Sequence, residues 1–181
     1  LGHLADRVRK HIGGEMDVEL SIEPEPLGTG GALRFARQKI RSDPVLVMNG
    51  DTWLDADFCQ FVERHRQSRA SISMLCVPVS DSSRFDVVQI DKNGVLTFPS
   101  RKKGRTGIGA SLVSAGTYLL SGSALDALGA TAGASLEHDL LRRGVLGPIF
   151  GFVPEETSFI DIGTPESLRN AGRWIGRAYQ P

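Results

Sequence analysis

The chain lacks an excess of either charge, since lysine and arginine together number 21 and aspartate and glutamate also number 21. Without a basic field, net charge does not draw the protein to nucleic acid or to an acidic membrane surface. The chain also has no apolar run near the roughly 18 residues that a membrane-spanning helix requires. No charged segment followed by an apolar one opens the sequence, as a secretory leader would. We therefore expect a cytoplasmic protein with no nucleic-acid and no membrane partner.

Cysteine is scarce, with only Cys59 and Cys76 in the chain. Both stand in apolar surroundings without the spacing of a metal site, which predicts buried thiols in a reducing compartment. The histidines also show no ligand spacing, so a zinc site is not expected. The histidines are His3, His11, His65 and His138. Neither an internal repeat nor a low-complexity segment is present.

At 181 residues the chain is long enough for one domain with its own core, and we predict a single domain over residues 1–181. In the first half, strand-like and helix-like periodicities alternate. Strands are predicted at 18–22, at 45–48, where a continuous apolar run suggests burial on both faces, and at 71–79. This order predicts an α/β fold with a Rossmann-like doubly wound sheet, mixed but mostly parallel.

The second half has a different pattern. Segments 85–91 and 95–98 flank Asn93-Gly94, a strong hairpin signal that predicts a small antiparallel flap. In the last helix, Thr164 is the predicted cap and Pro165 fits the first position. Further strands and helices are predicted at 112–120, 123–128, 136–143, 149–153 and 159–162.

Two short motifs point to a nucleotide site. Residues 23–31, Glu-Pro-Glu-Pro-Leu-Gly-Thr-Gly-Gly, form a glycine-rich turn whose backbone can approach a ligand closely. Asn49-Gly50-Asp51 follows the predicted strand at 45–48. Because ligands bind at the carboxyl ends of strands in open α/β sheets, Asp51 stands where a divalent metal on a phosphate would need it.

A second acid at a strand end, Asp161, could complete such a metal site. Two carboxylates can hold one Mg²⁺ against a triphosphate, because this hard ion takes a few oxygen ligands together with phosphate and water. The structural alternative for Asp161 is a loop or helix-capping acid beside Gly163. Spacing and composition leave these two alternatives open.

These motifs carry a resemblance to a known family. Segments 23–32, 49–51, 84–88, 114–119 and 159–166 resemble, in this order, those of the sugar-1-phosphate nucleotidyltransferases. The chain looks most like the branch of the D-glycero-D-manno-heptose 1-phosphate guanylyltransferases. The resemblance implies the nucleotide-diphospho-sugar transferase type of fold, Mg²⁺ as cofactor, and a nucleoside triphosphate and a sugar-1-phosphate as substrates.

The resemblance also assigns nucleotide-binding residues. Glu23 matches the position that hydrogen-bonds the base, and a carboxylate there accepts from both N1 and N2 of guanine, whereas uracil or thymine offers one ring N–H. GTP is therefore the expected nucleotide. The other residues assigned to the nucleotide are Pro26, Gly28, Thr29, Gly30, Asn49 and Gly50.

Metal and sugar residues are assigned in the same way. Asp51 and Asp161 match the two metal ligands, and Arg101 matches a cation that contacts the sugar phosphate. Asp86 replaces a glycine of the family, Ser100-Arg101 replaces a Glu-Lys pair, and Ser114 replaces an asparagine. The residues assigned to the sugar are Asp86, Ser100, Ser114, Gly116 and Glu137.

The family's N-terminal glycine-rich phosphate loop and first strand have no counterpart in this chain, and we expect a segment to be missing before Leu1. Two alternatives remain open. One is a noncatalytic nucleotide-sugar-binding or regulatory homologue, motivated by the altered sugar-site residues. The other is a glycosyltransferase that uses Asp55 and Asp57, although acids at a helix start are common for structural reasons. A homo-oligomer is compatible with an exposed flap and a terminal helix.

Overall fold

A computed structural model describes residues 1–12, 18–99 and 110–178 of the chain. Contacts divide it into two compact units. Unit 1 comprises Leu1–Val45 and Leu120–Gly147, and unit 2 comprises Leu46–Leu119 and Pro148–Pro181.

The helices are α1 Ala5–Ile12, α2 Gly28–Ala36, α3 Phe58–Ser68, α4 Gly122–Gly129 and α5 Pro165–Ala178, with a 3₁₀ turn at Arg37–Lys39 and a π-helix at Leu136–Leu141. The strands are β1 Val45–Met48, β2 Thr52–Asp55, β3 Ile72–Val79, β4 Gln89–Ile90, β5 Val95–Thr97, β6 Ser111–Leu120, β7 Ile149–Phe152 and β8 Ser158–Asp161. Among the described residues, no helix is both long and apolar enough to span a membrane.

Unit 2 is built on a six-stranded mixed sheet in the order β1-β6-β3-β7-β5-β4. Strands β3 and β7 are parallel, while β5 pairs antiparallel with both β7 and β4. A separate two-stranded antiparallel sheet joins β2 to β8. The α/β class and the mixed character of the sheet agree with the prediction, although antiparallel pairing is more common than parallel pairing among these strand pairs.

The core of unit 2 lies where α3 packs on the sheet. Phe61 of α3 is fully buried and stacks on Phe152 of β7, with ring centroids 5.3 Å apart. Its neighbours in this cluster include Leu75, Val113 and Leu119 from β3 and β6. Burial of large apolar side chains is the main stabilising term in such a layer. This apolar cluster therefore fixes the position of the strands that the polar loops of unit 2 connect.

The predicted hairpin is present as β4 and β5. Asp91 accepts a hydrogen bond from the Val95 amide through its Oδ1 atom at 2.8 Å, and Gly94 has a φ of +81°. That positive φ is the conformation for which Asn-Gly turns are favoured. The strand is shorter than the predicted 85–91, because before Gln89 only an isolated bridge between Val87 and Val113 is formed.

Unit 1 consists of helices and connecting segments. Helix α2 packs against α4 and against the π-helix Leu136–Leu141. The buried apolar side chains of the unit come from these elements, from the end of β6 and from the segment after the π-helix: Leu33, Leu120, Ala124, Leu125, Leu128, Leu136, Leu140, Leu141 and Leu146.

Three expectations, about one strand and about the burial of β1 and Cys59, are wrong. Residues 18–22 form no strand, and both Val18 and Ile22 are exposed. In β1, Leu46 and Met48 are exposed while Val45 and Val47 are half-buried, because alternate side chains of a strand point to opposite faces and only one face is covered here. Cys59 is exposed, whereas Cys76 is buried as expected.

The exposure of Cys59 follows from the helical repeat. Helix α3 turns Phe61 and His65 inward, four residues apart, and both are buried. At about 100° per residue, a position two residues before Phe61 falls on the opposite side of the helix. An apolar neighbourhood in sequence therefore did not indicate a buried position in the helix.

Candidate functional site

Asp51 and Asp161 are brought together by the small sheet of unit 2. Strand β2 starts directly after Asp51, and its Thr52 stands opposite Asp161 at the end of β8. The amide of Ile162 donates a 2.9 Å hydrogen bond to the carbonyl oxygen of Asp51. The antiparallel register thus places the two acids side by side, although they are far apart in sequence.

Gly163 defines the space that the two carboxylates share. A Cβ placed on Gly163 would lie 2.9 Å from Oδ1 of Asp161 and 3.4 Å from Oδ2 of Asp51. One oxygen of each acid therefore lies within 3.4 Å of the position that a Cβ on residue 163 would take, so glycine lets the backbone pass close to both carboxylates. The Gly163 amide also donates to Oδ1 of Asp161 at 2.7 Å, which fixes the orientation of that carboxylate.

Two facing carboxylates have the donor chemistry of a Mg²⁺ site that is completed by phosphate and water. In the described ranges 1–12, 18–99 and 110–178, no group of three or more His, Cys, Asp or Glu side chains could hold a metal. A metal held by these two carboxylates would need further oxygen ligands, such as phosphate or water.

Arg84 is a third charged group beside Asp161. Its Nη2 atom donates to Oδ2 of Asp161 at 2.9 Å, while 48% of the Arg84 side chain and 22% of the Asp161 side chain remain exposed. The guanidinium also lies 5.9 Å from the centre of the Phe85 ring. Two acids and one cation thus make up a polar cluster at the surface of unit 2.

Asn49 and Gly116 lie next to each other in unit 2. The Asn49 amide donates to the Gly116 carbonyl at 2.9 Å. Ser114, two residues before Gly116, accepts a 3.1 Å hydrogen bond from the Gly116 amide. Its hydroxyl also lies 3.2 Å from the Tyr118 hydroxyl. A nucleotide-assigned residue and two sugar-assigned residues are therefore adjacent, and the Ser114 hydroxyl is engaged in local structure.

In unit 1, the glycine-rich turn packs against the chain itself. Gly28 has a φ of +71°, and a Cβ on it would lie 2.6 Å from the carbonyl oxygen of Ala134. The Gly30 amide donates to the same oxygen at 2.7 Å. The glycines of this turn therefore allow a close approach to the backbone before the π-helix, which gives them a structural role whatever ligand they bind.

Thr29 connects the same turn to the π-helix, because its Oγ1 atom accepts a 2.9 Å hydrogen bond from the amide of the buried Leu136. We expect Thr29→Val to lower the free energy of unfolding by about 0.5–1.5 kcal/mol, since the Leu136 amide loses its acceptor. Urea denaturation measures the change. Thr29→Ser, which keeps the hydroxyl, is the matched control and should retain most of the stability. Equal losses in both variants would contradict this role.

Glu23 is placed close to the turn. Its Oε2 atom accepts from the Leu27 amide at 3.0 Å. Only 11% of its side chain is exposed. The carboxylate is thus held at the entry to α2, and Pro26, which lies between Glu23 and that helix, is exposed.

Glu137 lies in the π-helix of unit 1, where the Arg142 amide donates to the Glu137 carbonyl at 2.8 Å across five residues. Short π-helical turns are rare and often occur at functional sites. Asp139, in the same π-helix, stabilises the segment that precedes the helix. Its Oδ2 atom accepts hydrogen bonds from the backbone amides of Ser135 at 2.8 Å and Ala134 at 3.0 Å. The hydrogen bond from Ser135 is the main cause that holds the pKa of Asp139 below its ordinary value.

Four assigned residues remain: Ser100, Arg101, Gly50 and Asp86. Ser100 and Arg101 fall outside the described residues. Gly50 is exposed in the turn before Asp51, with nothing within 4 Å of where its Cβ would be. Asp86 is half-buried.

Asp57 has the structural role that its position suggests. Its Oδ1 atom accepts from the Gln60 amide at 2.8 Å, which caps the N-terminus of α3, and Asp55 ends β2. We expect Asp57→Ala to cost about 0.5–2 kcal/mol of stability while Asp57→Asn, also a good cap, costs little. Thermal denaturation and sugar transfer from a nucleotide sugar are both measured for each variant. Sugar transfer from a nucleotide sugar that is lost in Asp57→Asn with unchanged stability would instead support the glycosyltransferase alternative.

Two functional candidates were not among the assigned residues. Arg84 and Gly163 both lie in segments that carry the resemblance, but their roles depend on contacts with Asp161 and Asp51. The only signal in the sequence is their presence in those segments. No spacing pattern connects Arg84 to an acid that is 77 positions away.

Comparison with known proteins gives a consistent result. The family model described as nucleotidyl transferase matches residues 3–176. A D-glycero-alpha-D-manno-heptose 1-phosphate guanylyltransferase from Aneurinibacillus thermoaerophilus is 29% identical over 174 residues, which cover 94% of this chain and 74% of that protein. A mannose-1-phosphate guanylyltransferase from Mycobacterium tuberculosis is also 29% identical, over 92% of this chain but only 46% of its own length.

A solved structure agrees with the fold. The crystal structure of HddC from Yersinia pseudotuberculosis complexed with GMP-PN superposes with a TM-score of 0.79 at 28% identity. The match covers 97% of this chain and 76% of that one. The α/β class predicted from the order of strands and helices is thereby confirmed, as is the similarity to the heptose 1-phosphate guanylyltransferases.

Proposed function

The chain belongs to the nucleotidyl transferase family, and we propose that it joins a nucleoside triphosphate to a sugar-1-phosphate, giving a nucleotide sugar and pyrophosphate. The observation that carries this proposal is the pair Asp51 and Asp161, whose carboxylates both lie beside Gly163, with one oxygen of each within 3.4 Å of the Gly163 Cβ position. Such a pair is suited to holding a cation against phosphate oxygens. Asp161 ends β8 and Asp51 follows the end of β1, so both acids stand at carboxyl ends of strands, where ligands of α/β proteins commonly bind.

In the proposed reaction, an oxygen of the sugar-1-phosphate attacks the α-phosphorus of the triphosphate. A new P–O bond forms there, the bond from the α-phosphorus to the bridging oxygen breaks, and pyrophosphate leaves with that electron pair. Because the attacking phosphate is already an anion, no strong general base is needed. Catalysis then depends on in-line positioning and on charge neutralisation.

Asp51 and Asp161 would hold Mg²⁺, which supplies neutralisation of phosphate charge when bound. The protein's own part is to keep the two carboxylates fixed. The Gly163 amide orients Asp161 at 2.7 Å, and the Ile162 amide ties the Asp51 backbone to the same loop at 2.9 Å. Arg84 adds a cation beside them, and the resemblance assigns Arg101 to the sugar phosphate.

GTP is the proposed nucleotide and a sugar of the manno type the proposed partner. The relatives are heptose and mannose 1-phosphate guanylyltransferases, and the HddC structure is complexed with GMP-PN. In this chain, Glu23 is the residue suited to guanine, because a carboxylate accepts from both N1 and N2. We further propose that the product feeds cytoplasmic synthesis of a surface polysaccharide or lipopolysaccharide precursor.

The test is pyrophosphate release by the purified protein. GTP and UTP are each offered with mannose 1-phosphate, a D-glycero-D-manno-heptose 1-phosphate and glucose 1-phosphate, in the presence of Mg²⁺. We expect release with GTP and a manno-type sugar phosphate. Nucleotide binding by calorimetry without pyrophosphate release from any combination would favour a noncatalytic homologue. Sugar transfer from a nucleotide sugar to an acceptor would favour a glycosyltransferase.

A further inference from the structure

Arg84 binds the Oδ2 atom of Asp161, on the same carboxylate as the Oδ1 atom that lies beside Gly163. We propose that Arg84 is an internal counter-ion, which neutralises Asp161 while the metal is absent and is displaced from Oδ2 when the metal binds. This inference rests on the proposed metal site of Asp51 and Asp161. It adds a positioning residue, Arg84, that acts through Asp161.

The two oxygens of Asp161 are both in use. Oδ1 accepts from the Gly163 amide at 2.7 Å, and Oδ2 accepts from Arg84 Nη2 at 2.9 Å. A hard divalent cation and a guanidinium at the same carboxylate repel each other, because both are positive and only a few ångströms apart. The metal therefore binds to the fraction of molecules in which Arg84 has moved, and its apparent affinity is reduced accordingly.

The displaced guanidinium remains near the acids because its neighbour is anchored. Phe85 packs edge-on against Phe159, with ring centroids 5.7 Å apart, and Phe159 is two residues before Asp161 in β8. Released from Oδ2, Arg84 can turn its planar fork to a phosphate oxygen of the substrate. The same cation would thus stabilise the empty site first and the bound phosphate afterwards.

A lanthanide titration tests the inference without turnover. Tb³⁺ alone is added to the protein, and its luminescence is excited through tryptophan, of which Trp53 lies two residues after Asp51. We expect Arg84→Gln to tighten Tb³⁺ binding by about two- to fivefold, a modest effect set by a half-exposed ion pair. Asp161→Asn should weaken binding, and in that background Arg84→Gln should change nothing further.

Arg66→Gln, at an exposed position of α3, is the matched control, since it removes the same charge from the same unit. Structural damage loosens a metal site and does not tighten it, so tighter binding in Arg84→Gln alone supports the inference. Unchanged or weaker binding in Arg84→Gln, or equal tightening in Arg66→Gln, overturns it. Failure of the wild type, Arg84→Gln and Asp161→Asn to bind Tb³⁺ at all overturns the proposed metal site together with the inference.

Discussion

Asp161→Asn is expected to lower kcat/KM for pyrophosphate release by more than about a hundredfold while the fold is retained. Mutation of a group that only hydrogen-bonds a metal ligand already lowers metal affinity or activity by about 10- to 100-fold. Loss of a direct ligand should lower kcat/KM further. Asparagine has nearly the same shape and can still accept from the Gly163 amide through its side-chain oxygen. What it removes is the negative charge of the carboxylate beside Gly163.

The same loss is expected for Asp51→Asn, because its Oδ2 atom lies 3.4 Å from the same Gly163 Cβ position. Asp55→Asn is the matched control, since Asp55 is an exposed acid at the far end of β2, and it should keep nearly full activity. Thermal denaturation of all three variants shows whether the fold is retained. Near wild-type turnover in either Asp51→Asn or Asp161→Asn would refute the metal site.

Gly163→Ala is expected to lower turnover by at least tenfold with little loss of stability. The added Cβ would stand 2.9 Å from Oδ1 of Asp161, so this carboxylate must rotate away and loses its 2.7 Å hydrogen bond from the Gly163 amide. Because the clash is with the end of a side chain, the fold can adjust at low cost. Displacement of a metal ligand by about 1 Å is enough to lower the reaction rate by a large factor.

Steady-state kinetics at several Mg²⁺ concentrations measures this effect, and the Mg²⁺ concentration needed for half-maximal rate should rise in Gly163→Ala. Gly172→Ala in α5 is the control, since nothing lies within 4 Å of its added Cβ. That variant should be as active as the wild type and at least as stable. If Gly163→Ala retained the wild-type Mg²⁺ dependence, the carboxylate of Asp161 beside Gly163 would not be a ligand of the cation.

Much of the local structure could be predicted from periodicity and capping. The predicted last helix is α5, and Thr164 caps it through a 3.1 Å hydrogen bond from the Ser167 amide. The hairpin around Asn93-Gly94 also forms as expected. These features depend on residues a few positions apart, so local propensity decides them.

Burial was harder to predict. The segment 18–22 alternates like a strand but forms none, and Cys59 is exposed despite its apolar neighbours. Strand β2 was missed altogether, because the four residues Thr52–Asp55 show no clear periodicity. A strand or a buried position exists only where a partner surface is available, and a single sequence does not show which segments meet.

The sequence by itself determined the chemistry available to this protein: Asp51 after an apolar strand, Asp161 before Gly163, and the turn around Gly28. Tertiary structure decided which of these groups meet. The β2–β8 register sets Thr52 opposite Asp161 and so brings Asp51 beside it, and a side chain 77 positions earlier, Arg84, then reaches the same carboxylate. Such contacts are non-local, so they form only when packing repays the entropy of closing long loops, and no local pattern encodes them.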